Sequence, residues 1–134
     1  MTVPSGVTAA ARPRILLIED EQSVATFLRR ALERRGYEVT FCSSAAEGLQ
    51  LLASDDFRGV ISDFRTPGGI TGADVRDWIH RHRPELASRI VFITGDSASA
   101  ETAALLAQGG TPCVEKPFRV QQLMDAVENT IGQP

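Results

Sequence analysis

The chain has 134 residues, enough for one hydrophobic core and too few for two ordinary domains. Hydrophobic residues at 43% and charged ones at 23% exclude disorder, collagen and coiled coil as descriptions of the whole chain. Fourteen basic against 17 acidic side chains leave a net charge of -3, which supplies no global attraction for nucleic acid or anionic membrane.

Residues 1–13 are rich in Ala, Thr, Pro and Gly without apolar periodicity and are expected to form a disordered leader; a domain is expected over 14–132. Beyond Arg14, β-branched apolar runs alternate with stretches of helical spacing, the pattern of βα repetition. The first strand is Ile15 to Ile18, followed by a helix with Val24, Phe27, Leu28, Ala31 and Leu32 on one face. Strict alternation at Tyr37, Val39 and Phe41 predicts a second strand with an exposed face, at a sheet edge. Ser44 with Glu47 reads as a capping box opening a helix through Leu49 and Leu52. A third strand holds Val60 and Ile61, and Val75, Trp78 and Ile79 mark the next helix. Ile90 to Ile93 forms the fourth strand, Ala100 to Ala107 a fourth helix, Cys113 and Val114 a weak fifth strand, and Val120, Leu123, Met124, Val127 and Ile131 a fifth helix. Five such units are too few for an eightfold barrel, so the expected fold is α/β, an open, doubly wound parallel sheet of five strands with five helices on its two faces.

Cys42 and Cys113 lack metal-ligand or disulfide spacing, no apolar run approaches 18 residues, and no secretory signal is present. A soluble, cytoplasmic protein is expected. His80 and His82 lie in a cationic stretch before Pro84 and read as a helix C-terminus rather than metal ligands. Cys113 reads as a small core residue and Trp78 as packing.

Open parallel sheets bind ligands outside the carboxyl ends of their strands. There the sequence puts Glu19 and Asp20 after strand one, Asp63 after strand three, Thr94 after strand four and Lys116 after strand five. Lys116 is the sole lysine; the other 13 basic side chains are arginines. Clustered carboxylates repel unless a cation joins them, and three of them balance one divalent ion plus Lys116. Oxygen ligands without nearby His or Cys favour Mg²⁺. Metal, ammonium and hydroxyl together suit phosphoryl transfer, and Asp63, on a central strand, is the best candidate for a nucleophile that becomes an acyl phosphate.

In this order, Ile18-Glu19-Asp20-Glu21, Asp63 with Pro67, Thr94, and Glu115-Lys116-Pro117-Phe118 resemble the response-regulator receiver domain of two-component signalling, of the single-domain or hybrid-kinase type. The resemblance implies a flavodoxin-like strand order 2-1-3-4-5. It implies Mg²⁺ bound by Asp20, Asp63 and the Arg65 main-chain carbonyl, with Glu19 acting through water. Phosphoryl oxygens would be bound by Thr94 and Lys116, and the Lys116-Pro117 bond would be cis. The phosphoryl donor would be a sensor histidine kinase or a histidine phosphotransfer protein, and the chain would be no turnover enzyme, only catalysing its own phosphorylation and dephosphorylation.

Three positions depart from the family pattern: Cys113 stands where an aromatic is usual, Thr66 where Met is common, and the glycine after Gly68-Gly69-Ile70-Thr71 comes one residue late. Arg65 and Asp96 are expected to pair across the site mouth and modulate hydrolysis. A haloacid-dehalogenase-like phosphatase would need a second Asp two residues after its nucleophile, which neither Asp20 nor Asp63 has. A receiver-like module that is never phosphorylated is the other alternative. With the sequence ending soon after Gly132, signalling through the domain's own surface in a phosphorelay is expected, without nucleic acid or membrane as partner.

Overall fold

The computed structural model describes residues 12–64, 68–95 and 111–134. Five strands, β1 (Arg14–Ile18), β2 (Glu38–Cys42), β3 (Gly59–Asp63), β4 (Ile90–Thr94) and β5 (Cys113–Glu115), pair in parallel in the order β2-β1-β3-β4-β5. The described helices are α1 (Gln22–Arg35), α2 (Ala45–Ser54), α3 (Gly72–His82) and α4 (Val120–Thr130), with a short 3-10 turn at Pro84–Leu86. The helix expected over Ala100 to Ala107 lies outside the described residues, as do Arg65 to Pro67 and Asp96. The doubly wound sheet expected from the sequence is the one observed, with β2 at an edge.

Side chains leave a strand on alternate faces, so a continuous apolar strand feeds two cores. Ile15, Leu17, Ile61, Val91, Ile93 and Val114 pack with α1 and α4 on one face of the sheet. Leu16, Ile18, Val60, Ile90 and Phe92 pack with α2 and α3 on the other, where Cys113 and Trp78 are half-buried at the margin. Each fully buried Leu or Ile contributes on the order of 2 kcal/mol, and the two layers hold the strand ends in register.

Two residues expected on buried helix faces are exposed, Phe27 at 52% and Val120 at 37%. The stripe of α1 that meets the sheet runs Ala25, Leu28 and Leu32, and Phe27 lies about 100° round the helix from Leu28, at the rim. Val120 is the first residue of α4, ahead of the buried Leu123, Met124 and Val127. The Ser44 capping box is half-formed. Ser44 accepts from the Glu47 N–H at 3.2 Å, while the Glu47 carboxylate is engaged by the Ser43 and Ser44 hydroxyls. A complete box opens α3 instead, where Thr71 accepts from the Asp74 N–H and the Asp74 carboxylate accepts from the Thr71 N–H at 3.0 Å. Helix α1 stops at Gly36, whose φ of 107° suits glycine.

Candidate functional site

Glu19, Asp63, Thr94 and Lys116 come from four neighbouring strands, and parallel pairing brings their carboxyl ends to one edge. Ile18 pairs with Ser62, Asp63 with Ile93, and Thr94 with Glu115, so each chemical residue sits at or one step beyond the last ladder pair. Main-chain bonds fix the strand exits: the Glu19 N–H donates to Cys42 O at 3.1 Å, Phe64 N–H to Ile93 O at 2.8 Å and Lys116 N–H to Thr94 O at 2.7 Å. Directly after Asp63, the buried Phe64 meets Phe92 edge to face at 5.7 Å. Helix α3 rests on this pair through Gly72. A Cβ there would come within 2.6 Å of Phe64, so the close approach requires glycine. The Lys116-Pro117 bond is cis, as expected.

Glu19, Asp20 and Asp63 each bring a carboxylate oxygen within 4.8 Å of the others, the grouping among the described residues that could hold a metal ion. Lys116 Nζ lies 3.1 Å from Glu19 Oε1 and 3.1 Å from Asp63 Oδ2, to which it donates a hydrogen bond. Glu21 Oε1 lies farther out, at 3.8 Å. Thr94 is buried at the end of β4. The structure thus draws together Glu19, Asp20, Asp63 and Lys116 and sets Thr94 at the neighbouring strand end; the Arg65 carbonyl is outside the described residues. Glu21 closes the Ile18-Glu19-Asp20-Glu21 motif of the sequence, which assigns it no role at the site; the structure brings it to Lys116.

The charges are not balanced. Glu19 is fully buried, and burial pushes its carboxyl up to about 7, opposed by the Glu21 N–H bond and assisted by repulsion from Asp63. Lys116 is driven down by its own burial, but the Asp63 hydrogen bond and the charges of Asp63 and Glu19 outweigh this and raise it overall. Glu19 Oε1 is also buried, and it meets the Lys116 ammonium 3.1 Å away as an ion pair rather than in a well-formed hydrogen bond. A buried carboxylate oxygen without a well-formed hydrogen bond costs stability. Three clustered carboxylates, with this incompletely satisfied oxygen on one of them, fit a small divalent cation such as Mg²⁺.

A parallel 2-1-3-4-5 sheet with carboxylates and a lysine at the carboxyl ends of its strands defines a flavodoxin-like receiver class. The family model for the response regulator receiver domain matches residues 15–128, and the chain belongs to that family of two-component signalling domains. The response regulator receiver protein CpdR of Brucella abortus is 30% identical over 118 residues, covering 88% of this chain and 96% of CpdR. The photosynthetic apparatus regulatory protein RegA of Rhodobacter capsulatus is 28% identical, covering 84% of this chain and 60% of RegA. The chain spans about half the length of several other curated relatives it matches. Among solved structures, a response regulator receiver domain protein from Clostridium thermocellum superposes with a TM-score of 0.77 at 30% identity, over 89% of this chain and 94% of that one. Among the described residues, no helix is long and apolar enough to cross a membrane.

Proposed function

We propose that this domain is phosphorylated on Asp63 in a Mg²⁺-dependent reaction, with a phosphohistidine of a sensor histidine kinase or histidine phosphotransfer protein as donor. The observation that carries the reading is one ammonium, Lys116 Nζ, shared at 3.1 Å by Asp63 and the buried Glu19, with Asp20 in the same cluster. Asp63 Oδ attacks phosphorus as the bond from phosphorus to the imidazole nitrogen breaks, and the imidazole leaves with the electron pair and takes up a proton. Lys116 shifts from the Asp63 carboxylate to a phosphoryl oxygen, and the Thr94 hydroxyl binds a second one. Glu19, Asp20 and Asp63, with the Arg65 carbonyl, would hold Mg²⁺. Bound Mg²⁺ supplies neutralising charge for the carboxylates and for the transferring group. Glu19 must release its proton to take part, so loading the site is favoured as pH rises through about 7.

The domain is read as a cytoplasmic, self-phosphorylating switch that signals through its own surface in a phosphorelay, not a turnover enzyme. The match to CpdR, a response regulator receiver protein, over nearly its whole length supports the signalling part of this reading. A groove of about 560 Å³ beside Lys116, lined by Val24, Phe27, Pro117 and Phe118, offers the donor apolar area next to the site. Acetyl phosphate with Mg²⁺ tests the reading. One acid-stable, hydroxylamine-labile phosphoryl group is expected, lost with EDTA and in Asp63→Ala. Continuous release of phosphate without accumulation would indicate a phosphatase instead, and no labelling an inert module.

A further inference from the structure

We infer that Glu21 is a positioning residue that holds Lys116 from the solvent side and slows the approach of anionic phosphoryl donors; this rests on the phosphoacceptor reading above. Glu21 occupies the N-cap position of α1 with extended backbone, yet its side chain makes no capping bond, and the first turn of α1 carries no acidic residue. The carboxylate turns to Lys116 instead, with Oε1 at 3.8 Å from Nζ. Its main chain is fixed from both sides: the Glu21 N–H donates to Glu19 Oε2 at 3.0 Å, and Glu21 O accepts from the Ala25 N–H at 2.9 Å. The side chain, 63% exposed, keeps its freedom while its root is anchored to the acidic cluster.

Lys116 is therefore drawn by two inner carboxylates, Glu19 and Asp63, and one outer one. Glu21 and Lys116 line the same groove with Ser23, Val24, Phe27 and Gly95, so a ligand reaching Lys116 along it passes the Glu21 carboxylate. A charge in that place has two opposite effects. It adds to the attraction for a divalent cation, and it repels an incoming phosphoryl dianion while giving Lys116 an alternative partner. Because the pair is solvent-exposed, both effects are modest and screened by salt.

The experiment compares Glu21→Gln with the wild-type domain in phosphorylation by acetyl phosphate at saturating Mg²⁺, and in Mg²⁺ affinity by calorimetry. The expected result is phosphorylation about 2- to 5-fold faster at low ionic strength, with the advantage vanishing near 1 M salt, where the screening length is only about 3 Å. Mg²⁺ binding should weaken by a similar factor, and Glu21→Asp should restore part of both. A purely structural role would slow phosphorylation and weaken Mg²⁺ binding together, without salt dependence. Equal or slower phosphorylation of Glu21→Gln at low salt overturns the inference, as does an advantage that persists at high salt. If the wild-type domain takes no label either, the phosphoacceptor reading fails and this role falls with it.

Discussion

The two edges of the sheet handle charge in opposite ways. At the amino-terminal edge, cations are arginines matched to oxygens. Arg83 donates to Leu52 O at 2.7 Å, Asp55 O at 3.1 Å and Asp56 Oδ1 at 3.0 Å, and pairs with Glu85 at 2.7 Å. Arg14 donates to Asp56 O at 3.1 Å, covers the Phe57 ring at 4.9 Å and faces Glu38, its Nε 3.2 Å away but off the bonding direction. At the carboxyl-terminal edge, the one lysine is shared by Glu19, Asp63 and Glu21, Asp20 adds a further carboxylate, and Glu19 keeps an incompletely satisfied oxygen. A fork of five donors suits carbonyls that must be tied permanently, while a compact ammonium on a flexible stem can change partners. The first edge is built to stay closed, and the second is left short of positive charge, which a bound cation would supply.

The two edges should differ most in their response to pH. In Mg²⁺-free buffer, between the ordinary carboxylate value of 4.5 and about 7 the native state keeps the Glu19 proton that the unfolded chain has already lost. Stability should therefore be highest below about pH 4.5 as far as this group is concerned, and fall by up to roughly 3 kcal/mol as pH rises to about 7. Urea titrations of wild type and Glu19→Gln would show it, because the variant should lack this component. Mg²⁺ should restore stability at pH 8, by about 2.7 kcal/mol at a hundredfold excess over its dissociation constant. A wild-type profile identical to that of Glu19→Gln would remove the contrast between the edges.

At the other edge, Arg83→Ala should cost about 2 kcal/mol at any pH from 5 to 8, because it leaves the Leu52 and Asp55 carbonyls of the α2 terminus without their donor. Its effect on phosphorylation should be small, and a large one would mean that the edges are coupled. The smallest change in stability, within about 1 kcal/mol, is expected for Lys116→Arg, which preserves charge. That variant should still bind Mg²⁺ but lose the conformational response to phosphorylation. Amide hydrogen exchange with and without beryllofluoride would report it, and a wild-type response would show that an arginine serves equally well.

Much of this was legible in the sequence, and the failures have physical causes. Runs such as Ile15 to Ile18 are apolar because both faces are covered, so strands, layers and the strand ends bearing Glu19, Asp63, Thr94 and Lys116 could be read directly. Phe27 was misplaced because periodicity gives an apolar stripe but not its rotation: Ala25 turned inward and left the larger ring at the rim. The box at Thr71 escaped because Asp74 stands where Glu or Gln is the usual sign. Glu21 escaped because its role depends on a side chain that forgoes the cap its position suggests. Of the raised carboxyl of Glu19, the repulsion from Asp63 follows from the clustering of carboxylates, but the larger cause, burial at a strand end, is a tertiary property that the sequence does not carry.

Everything proposed for the carboxyl-terminal edge depends on Asp63 as the phosphoacceptor. Borohydride reduces an aspartyl phosphate to homoserine, so treating the domain with acetyl phosphate and Mg²⁺, reducing it and sequencing its peptides by mass spectrometry locates the modified residue. Homoserine is expected at position 63 alone, and none when EDTA is present. Homoserine at Asp20 or another carboxylate, or a phosphorylated domain with position 63 intact, would contradict it.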